Sequence, residues 1–184
     1  MIKSIRTLFI LFTALGFFAV SAPPAYAQTN IAVVDIQSLL RDSKAAKNIR
    51  SQLEDMRGDY QKEFSKYEKE LKDAEQELVK QRSVLSPEAF ADRREDFEQQ
   101  LVDTQKLVQK RKRALDSAFN KALGKLRDEI LNIVADVAEK ENYDLVMSKQ
   151  NVVLGKKRID MTEQVLSRLN KKIKKIKVNP SLDD

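Results

Sequence analysis

Between residues 43 and 126 the apolar side chains recur in steps of three and four, which places them on one stripe of a helix. The first series is Ala45, Ile49, Leu53, Met56, Tyr60, Phe64, Tyr67, Leu71, Ala74 and Leu78. The second is Phe97, Leu101, Thr104, Val108, Arg111, Leu115, Ala118, Ala122 and Leu126. Between them, residues 83–88 (SVLSPE) break the pattern. Ser86 suits a helix N-cap and Pro87 the first helical position, so one helix ends and another begins there. Fold the second helix back about residue 86 and the two series pair. The residue numbers of every facing pair then add to 171 or 172, from Ala74 with Phe97 to Ala45 with Leu126. A chance alignment would drift. The spacing is that of a coiled coil with local stutters, and about 40 residues per helix gives a hairpin about 60 Å long. Its core is one stripe wide and the remaining surface is charged or polar, so the hairpin should bend. Gly58 and Gly124 interrupt the helices at a cost of about 1 kcal/mol each relative to Ala. Tolerance or close packing explains either one, and Gly124 is also placed to act as a pivot at the root. Arg111, the one charge on the seam, faces Tyr60, where a cation–π contact or snorkelling satisfies it.

The pattern changes at both ends. Ile31-Ala32-Val33-Val34 is a short β-type run, and Asp35 is placed to cap a helix starting at Ile36. Tyr143 to Met147 reads as a strand, Ser148-Lys149-Gln150 as a turn, and Asn151 to Leu154 as its hairpin partner, broken by Gly155. A last helix runs from about Met161 to Lys172, with Asp160 and Glu163 spaced for a capping box and Met161, Val165, Leu166 and Leu169 on one face. After Leu126 the second long helix gains a broad apolar face (Ile130, Leu131, Ile133, Val134, Val137, Ala138), which must be buried with Leu39 and Leu40. Three short strands are too few for a stable isolated sheet. A base this small under so long a hairpin suggests that subunits pool their strands, so self-association is expected on physical grounds.

Residues 1–27 read as a secretory signal peptide: Lys3 and Arg6, then a 14-residue apolar run from Thr7 to Val20, then Ala25-Tyr26-Ala27 before Gln28. The run is short for a membrane span of roughly 20 residues. The expected product, Gln28–Asp184, works in an extracytoplasmic compartment. The division that follows is 28–42 with 127–172 as the body, 43–126 as the arm with its tip near 83–88, and 173–184 as a basic flexible tail. Residues 28–167 hold 26 basic and 26 acidic side chains, so the net positive charge lies beyond them. It sits in Arg168, Lys171, Lys172, Lys174, Lys175 and Lys177. Such a run suits an anionic lipid surface at about 1 kcal/mol per Lys, or simply a solvated terminus. A secretory signal argues against nucleic acid.

The chain has no Cys and no His, which excludes disulfides, thiolate or imidazole metal sites, and the Ser-His-Asp and Cys-His catalytic sets. There is no Gly-rich phosphate loop, and no converging acid, base or nucleophile is visible. No cofactor and no enzymatic activity are expected.

The N-terminal IAVVDIQSLL and the C-terminal YDLVMSKQNVVLGKKRIDMTEQVLSRLNKK, on either side of a long helical hairpin, resemble the Skp/OmpH family of periplasmic chaperones. The resemblance covers Ile31 to about Lys172. It implies a mainly α fold with a small β part: a homotrimer in which strands of three chains form a β-rich body and three coiled-coil arms enclose a cavity. There, unfolded outer-membrane β-barrel proteins are held without ATP and passed toward the outer membrane. By this similarity Ile31, Val33, Leu145, Met147, Val152 and Leu154 fall in the strands of the oligomerisation body. For such a function the apolar tip (Val84, Leu85, Phe90) and the basic cluster Lys106, Lys110, Arg111, Lys112 and Arg113 are the candidate client contacts. Lys171, Lys172, Lys174, Lys175 and Lys177 are the candidate lipid contacts. The charge-balanced arm departs from the strongly basic members of the family, and the tail runs past their last helix. The alternative is a structural or adaptor coiled-coil protein of the cell envelope.

Overall fold

The computed structural model describes residues 29–182. The expected signal peptide, 1–27, lies outside them. The elements run β1 (Ile31–Val34), α1 (Ile36–Asp42), α2 (Lys44–Gln81), α3 (Pro87–Lys140), β2 (Leu145–Ser148) and α4 (Thr162–Lys172), with 3-10 turns at Lys149–Asn151 and Lys157–Ile159. The fold is mainly helical, with a small sheet and two long packed helices.

Local chemistry accounts for the boundaries. The Asp35 carboxylate accepts from Ser38 N at 2.9 Å and starts α1 as expected. Ser43, fully buried, accepts from Ala46 N and starts α2. The helix that starts at Ile36 and the one that carries the first seam are thus separate, divided at Ser43. Ser86 caps α3 by accepting from Ala89 N, with Pro87 just inside, as the sequence predicts. At the far end of α3, Asn142 takes φ 53°, Tyr143 N donates to Ala138 O at 2.9 Å, and Asn142 N donates to Glu139 O at 3.3 Å. This is a Schellman closure with Asn in the left-handed position that usually belongs to Gly.

The sheet differs from expectation. It has two strands, β1 and β2, paired in parallel with Ile31 opposite Leu145 and Val34 opposite Ser148. Parallel neighbours need a long crossover, and here α1 to α3 supply it. Val33 also bridges to Asp160, and Met161 N donates to Val33 O at 2.9 Å. Asn151–Leu154 is not a hairpin strand. A 3-10 turn begins it, and Val153 and Leu154 are fully exposed. β2 finds its partner in β1, so local β propensity at 151–154 has no strand to pair with.

The core lies in the body and the root of the hairpin. It joins Leu39, Ile49, Leu126, Ile130, Val137, Val165 and Leu169, and it fades out at Leu53 and Ala114. No residue from 54 to 113 is buried. There the expected stripe (Met56 to Leu78, Phe97 to Arg111) is half-buried between exposed neighbours. The broad face of α3 is buried at Ile130, Ile133, Val134 and Val137, but Leu131 points outward. The Asp160–Glu163 capping box does not form. Asp160 accepts instead from Thr162 N and from Lys149, while Thr162 Oγ1 accepts from Asp35 N.

The tail is also not a free end. Ile173 and Ile176 pack on the core and Val178 is 2 % exposed. Ile176 and Val178 alternate with Lys175 and Lys177, so that apolar pair faces in and the lysines face out, while Ile173 turns inward ahead of a bend at Lys174.

Candidate functional site

Three surfaces combine exposure with unusual chemistry. The first runs along the hairpin. Tyr60, Phe64 and Tyr67 on α2, with Thr104, Val108 and Leu115 on α3, line an open groove of about 520 Å³. The Tyr60 and Phe64 ring centroids are 6.1 Å apart. Arg111 stands with its Cζ 5.2 Å from the Tyr60 ring centroid, as the seam register requires. A further partner was not visible in the periodicity. Arg111 Nη1 donates to Glu63 Oε2 at 2.6 Å, and Glu63 Oε1 accepts from Tyr67 Oη at 2.8 Å. Glu63 holds the Tyr67 phenol above its usual pKa, because losing that proton would remove the hydrogen bond and leave a phenolate beside a carboxylate. The Arg111 Nε, although buried, has no hydrogen-bond partner among the described residues. The stripe thus contains one polar cluster, held between aromatic rings.

The expected client contacts fall in separate places. Val84 at the tip is 82 % exposed, whereas Leu85 and Phe90 are half-buried. Val79, which the periodicity does not single out, is exposed near them. The basic cluster is spread over more than one face. Lys106, Lys110 and Arg113 share an exposed face of α3, Lys112 borders the aromatic groove, and Arg111 turns into the seam.

The second surface is on the body. Lys149 Nζ and Asp160 Oδ2 pair at 2.7 Å beside a cavity of about 620 Å³ whose rim carries Val152, Val153 and Leu154. Burial pushes the Asp160 carboxyl up, but hydrogen bonds from Lys149 and Thr162 outweigh it, so its pKa lies below the ordinary value. The hydrogen bond to Asp160 raises the Lys149 pKa in turn. Of the residues assigned to an oligomer contact, Val33 is already buried within the chain. Ile31, Met147 and Val152 are half-buried, and Leu145 and Leu154 are exposed. Val152 and Leu154 lie in a loop, not a strand.

The third surface is the root, where the tail lies. Lys171, Lys174, Lys175 and Lys177 are exposed, while Lys172 Nζ sits 3.1 Å from Glu129 Oε2. Among the described residues no group of three or more Asp or Glu side chains is placed to hold a metal ion, and no helix is long and apolar enough to cross a membrane.

Comparison with known proteins places this geometry. The model of a family described as outer membrane protein (OmpH-like) matches residues 30–169. A Skp-like protein of Pseudomonas aeruginosa is 30 % identical over 164 residues, which cover 89 % of this chain and 96 % of that protein. A protein named chaperone protein Skp, from Blochmanniella pennsylvanica, is 26 % identical over 151 residues, covering 79 % and 89 %. The fold matches a crystal structure from Caulobacter crescentus, titled as an OmpH-like outer membrane chaperone, with a TM-score of 0.77. That match is 16 % identical and covers 84 % of this chain and 91 % of the other. A match across most of the described residues, together with a relative aligned almost end to end, shows that the chain belongs to the OmpH-like (Skp) family.

Proposed function

We propose that this protein is a holdase chaperone of the periplasm that binds unfolded outer-membrane β-barrel proteins between helical arms and passes them toward the outer membrane without ATP. The observation that carries this reading is a long hairpin with no buried residue from 54 to 113, mounted on a body that shares the core with the hairpin's root, in a chain similar to a protein named chaperone protein Skp. A stem with so little core can bend to fit clients of different size. Holding is by equilibrium binding to the unfolded client, and release follows when folding in the membrane removes that species. The aromatic groove, Val79 and Val84, and the Lys106–Lys110–Arg113 face give many weak contacts, which several arms convert into avidity.

Assembly is a homotrimer through the body. The surface that supports this is the outer side of β2, which pairs with β1 alone among the described residues, together with exposed Leu145, Val153 and Leu154. The exposed Lys171, Lys174, Lys175 and Lys177 suit an anionic lipid surface. Loss of vesicle binding when all four become Gln tests that role.

The decisive experiment dilutes a urea-unfolded outer-membrane barrel protein into buffer with the chaperone and no nucleotide, and follows light scattering. Suppression of scattering at one trimer per client is expected. Replacing residues 57–112 by a short loop removes no buried residue, so it should leave a folded oligomer that no longer suppresses. Full suppression by that shortened chain would overturn the role of the arms. Absence of suppression by the intact chain, with stable binding to one folded envelope partner, would favour an adaptor.

A further inference from the structure

We propose that the groove between α2 and α3 at the root of the hairpin is a binding site for extended, alternately apolar segments of a client polypeptide, and that residues 173–178 of the chain occupy it as a displaceable stand-in. The proposal rests on the holdase reading for the identity of the ligand, and on the structure for the site.

The backbone becomes extended at Ile173, with φ −135° and ψ 120°. From there Ile173, Ile176 and Val178 turn toward the core while Lys174, Lys175 and Lys177 turn to solvent. Gln52 of α2 holds the backbone at two points. Its Nε2 donates to Ile176 O at 2.8 Å and its Oε1 accepts from Val178 N at 3.2 Å. One side-chain amide thus makes the pair of bonds that a neighbouring strand would make. Asn48 Oδ1 lies 2.8 Å from the same Nε2, which orients the amide. These contacts read a carbonyl and an N–H and no side chain, so any sequence that can extend satisfies them. On α3 the small side chains Ala118 and Ala122 leave a crevice of about 160 Å³ beside Ile176, flanked by Lys121 and Lys125.

Ile176 and Val178, two residues apart with Lys177 turned outward between them, mark this as a site for a β-type segment with apolar residues at alternate positions. An unfolded outer-membrane barrel protein consists largely of such segments. The occupant follows α4 and belongs to neither the sheet nor the two long helices, so it can leave without breaking either. While tethered it competes at the high effective concentration of an intramolecular partner. Isolated strands are thereby kept out, and a client that presents many strands at once displaces the tail.

The test uses a fluorescent peptide of residues 173–182, read by anisotropy against the intact chain and against a chain ending at Lys172. Saturable binding to the shortened chain is expected, with binding at least tenfold weaker to the intact one. An unlabelled ten-residue peptide of alternating Val and Thr should displace it, and a peptide of the same composition with its Val residues in one block should not. No binding to a shortened chain that keeps its helical circular dichroism, equal binding to both chains, or failure of the alternating peptide to displace would each overturn the proposal. If the shortened chain loses its helical signal, Val178→Asp in the intact chain opens the groove and the same outcomes are read there. Aggregation suppression by the intact chain is scored separately. Peptide binding without suppression upholds the groove and overturns the holdase reading, and suppression without peptide binding does the reverse.

Discussion

The Arg111–Glu63 pair offers a measurement of what holds the hairpin together beyond its root. The two side chains are 22 % and 29 % exposed, between the surface pairs worth about 0–1 kcal/mol and the buried pairs whose disruption costs about 3–5 kcal/mol. The two partners should respond unequally. Glu63→Leu leaves a guanidinium on the seam whose Nε already lacks a partner, and the loss of a charge-assisted hydrogen bond sets the cost at about 2–3 kcal/mol. Arg111→Leu restores an apolar residue to the stripe and leaves Glu63 bonded to Tyr67 and partly in water. Its loss of the Tyr60 contact costs about 0.5–1 kcal/mol. The double Leu variant should recover to within about 1 kcal/mol of the parent, because matched apolar replacement of an ion pair is often neutral. Since residues 54–113 hold no buried side chain, the distal hairpin should open locally, so native-state hydrogen exchange is the assay. Amides in 58–70 and 104–114 should exchange roughly thirtyfold faster in Glu63→Leu, the equivalent of about 2 kcal/mol. A coupling energy below about 0.5 kcal/mol, or equal losses in both single variants, would refute the reasoning.

Gly58→Ala and Gly124→Ala should each raise stability by about 1 kcal/mol in a denaturant melt, because a Cβ at either site meets nothing within 4 Å; a stabilised Gly124→Ala that holds clients poorly would identify a pivot. Asn142→Gly should be close to neutral, while Asn142→Val should lose about 1–2 kcal/mol in thermal unfolding through strain at positive φ. Asp160 has a folded pKa below its unfolded one, so its contribution is complete above about pH 4 and is lost as pH falls through the folded value; proteolysis at 149–160 should rise only in that acid range, and Asp160→Asn should remove the dependence. Tyr67 has a raised pKa, so the stability it contributes is present below about pH 10 and lost above its folded value; its tyrosinate absorbance should appear at lower pH in Glu63→Gln.

The parts of this fold that could be read in advance are those governed by neighbours in sequence. The half-buried stripe, the Ser86–Pro87 start and the Asp35 cap depend on local spacing and local hydrogen bonds. The cap at Ser43 is harder to see, because nothing in the helical rhythm of Ala45 and Ile49 marks it, although a Ser two residues before an apolar position is a usable signal. The strand expected at Asn151–Leu154 rested on β-branched residues, whereas strand formation depended on a partner more than 110 residues away. Glu63 lies off the apolar stripe and looked like ordinary surface charge. Its place beside Arg111 and Tyr67 follows from the packing of two helices, not from either alone. The inward turn of Ile176 and Val178 was written in their alternation with Lys175 and Lys177, but the density of positive charge obscured it.

The parallel pairing of Ile31–Val34 with Leu145–Ser148 has a consequence for biogenesis. The first strand must wait for a partner made more than 110 residues later, so the base cannot close until β2 has been made. The long rods can zip sooner, leaving each nascent molecule for a time as a stem without a foot, its future foundation bare. A chain proposed to hold other unfinished proteins therefore passes through an unfinished stage of its own, and slowing synthesis beyond α3 should expose that stage to proteases.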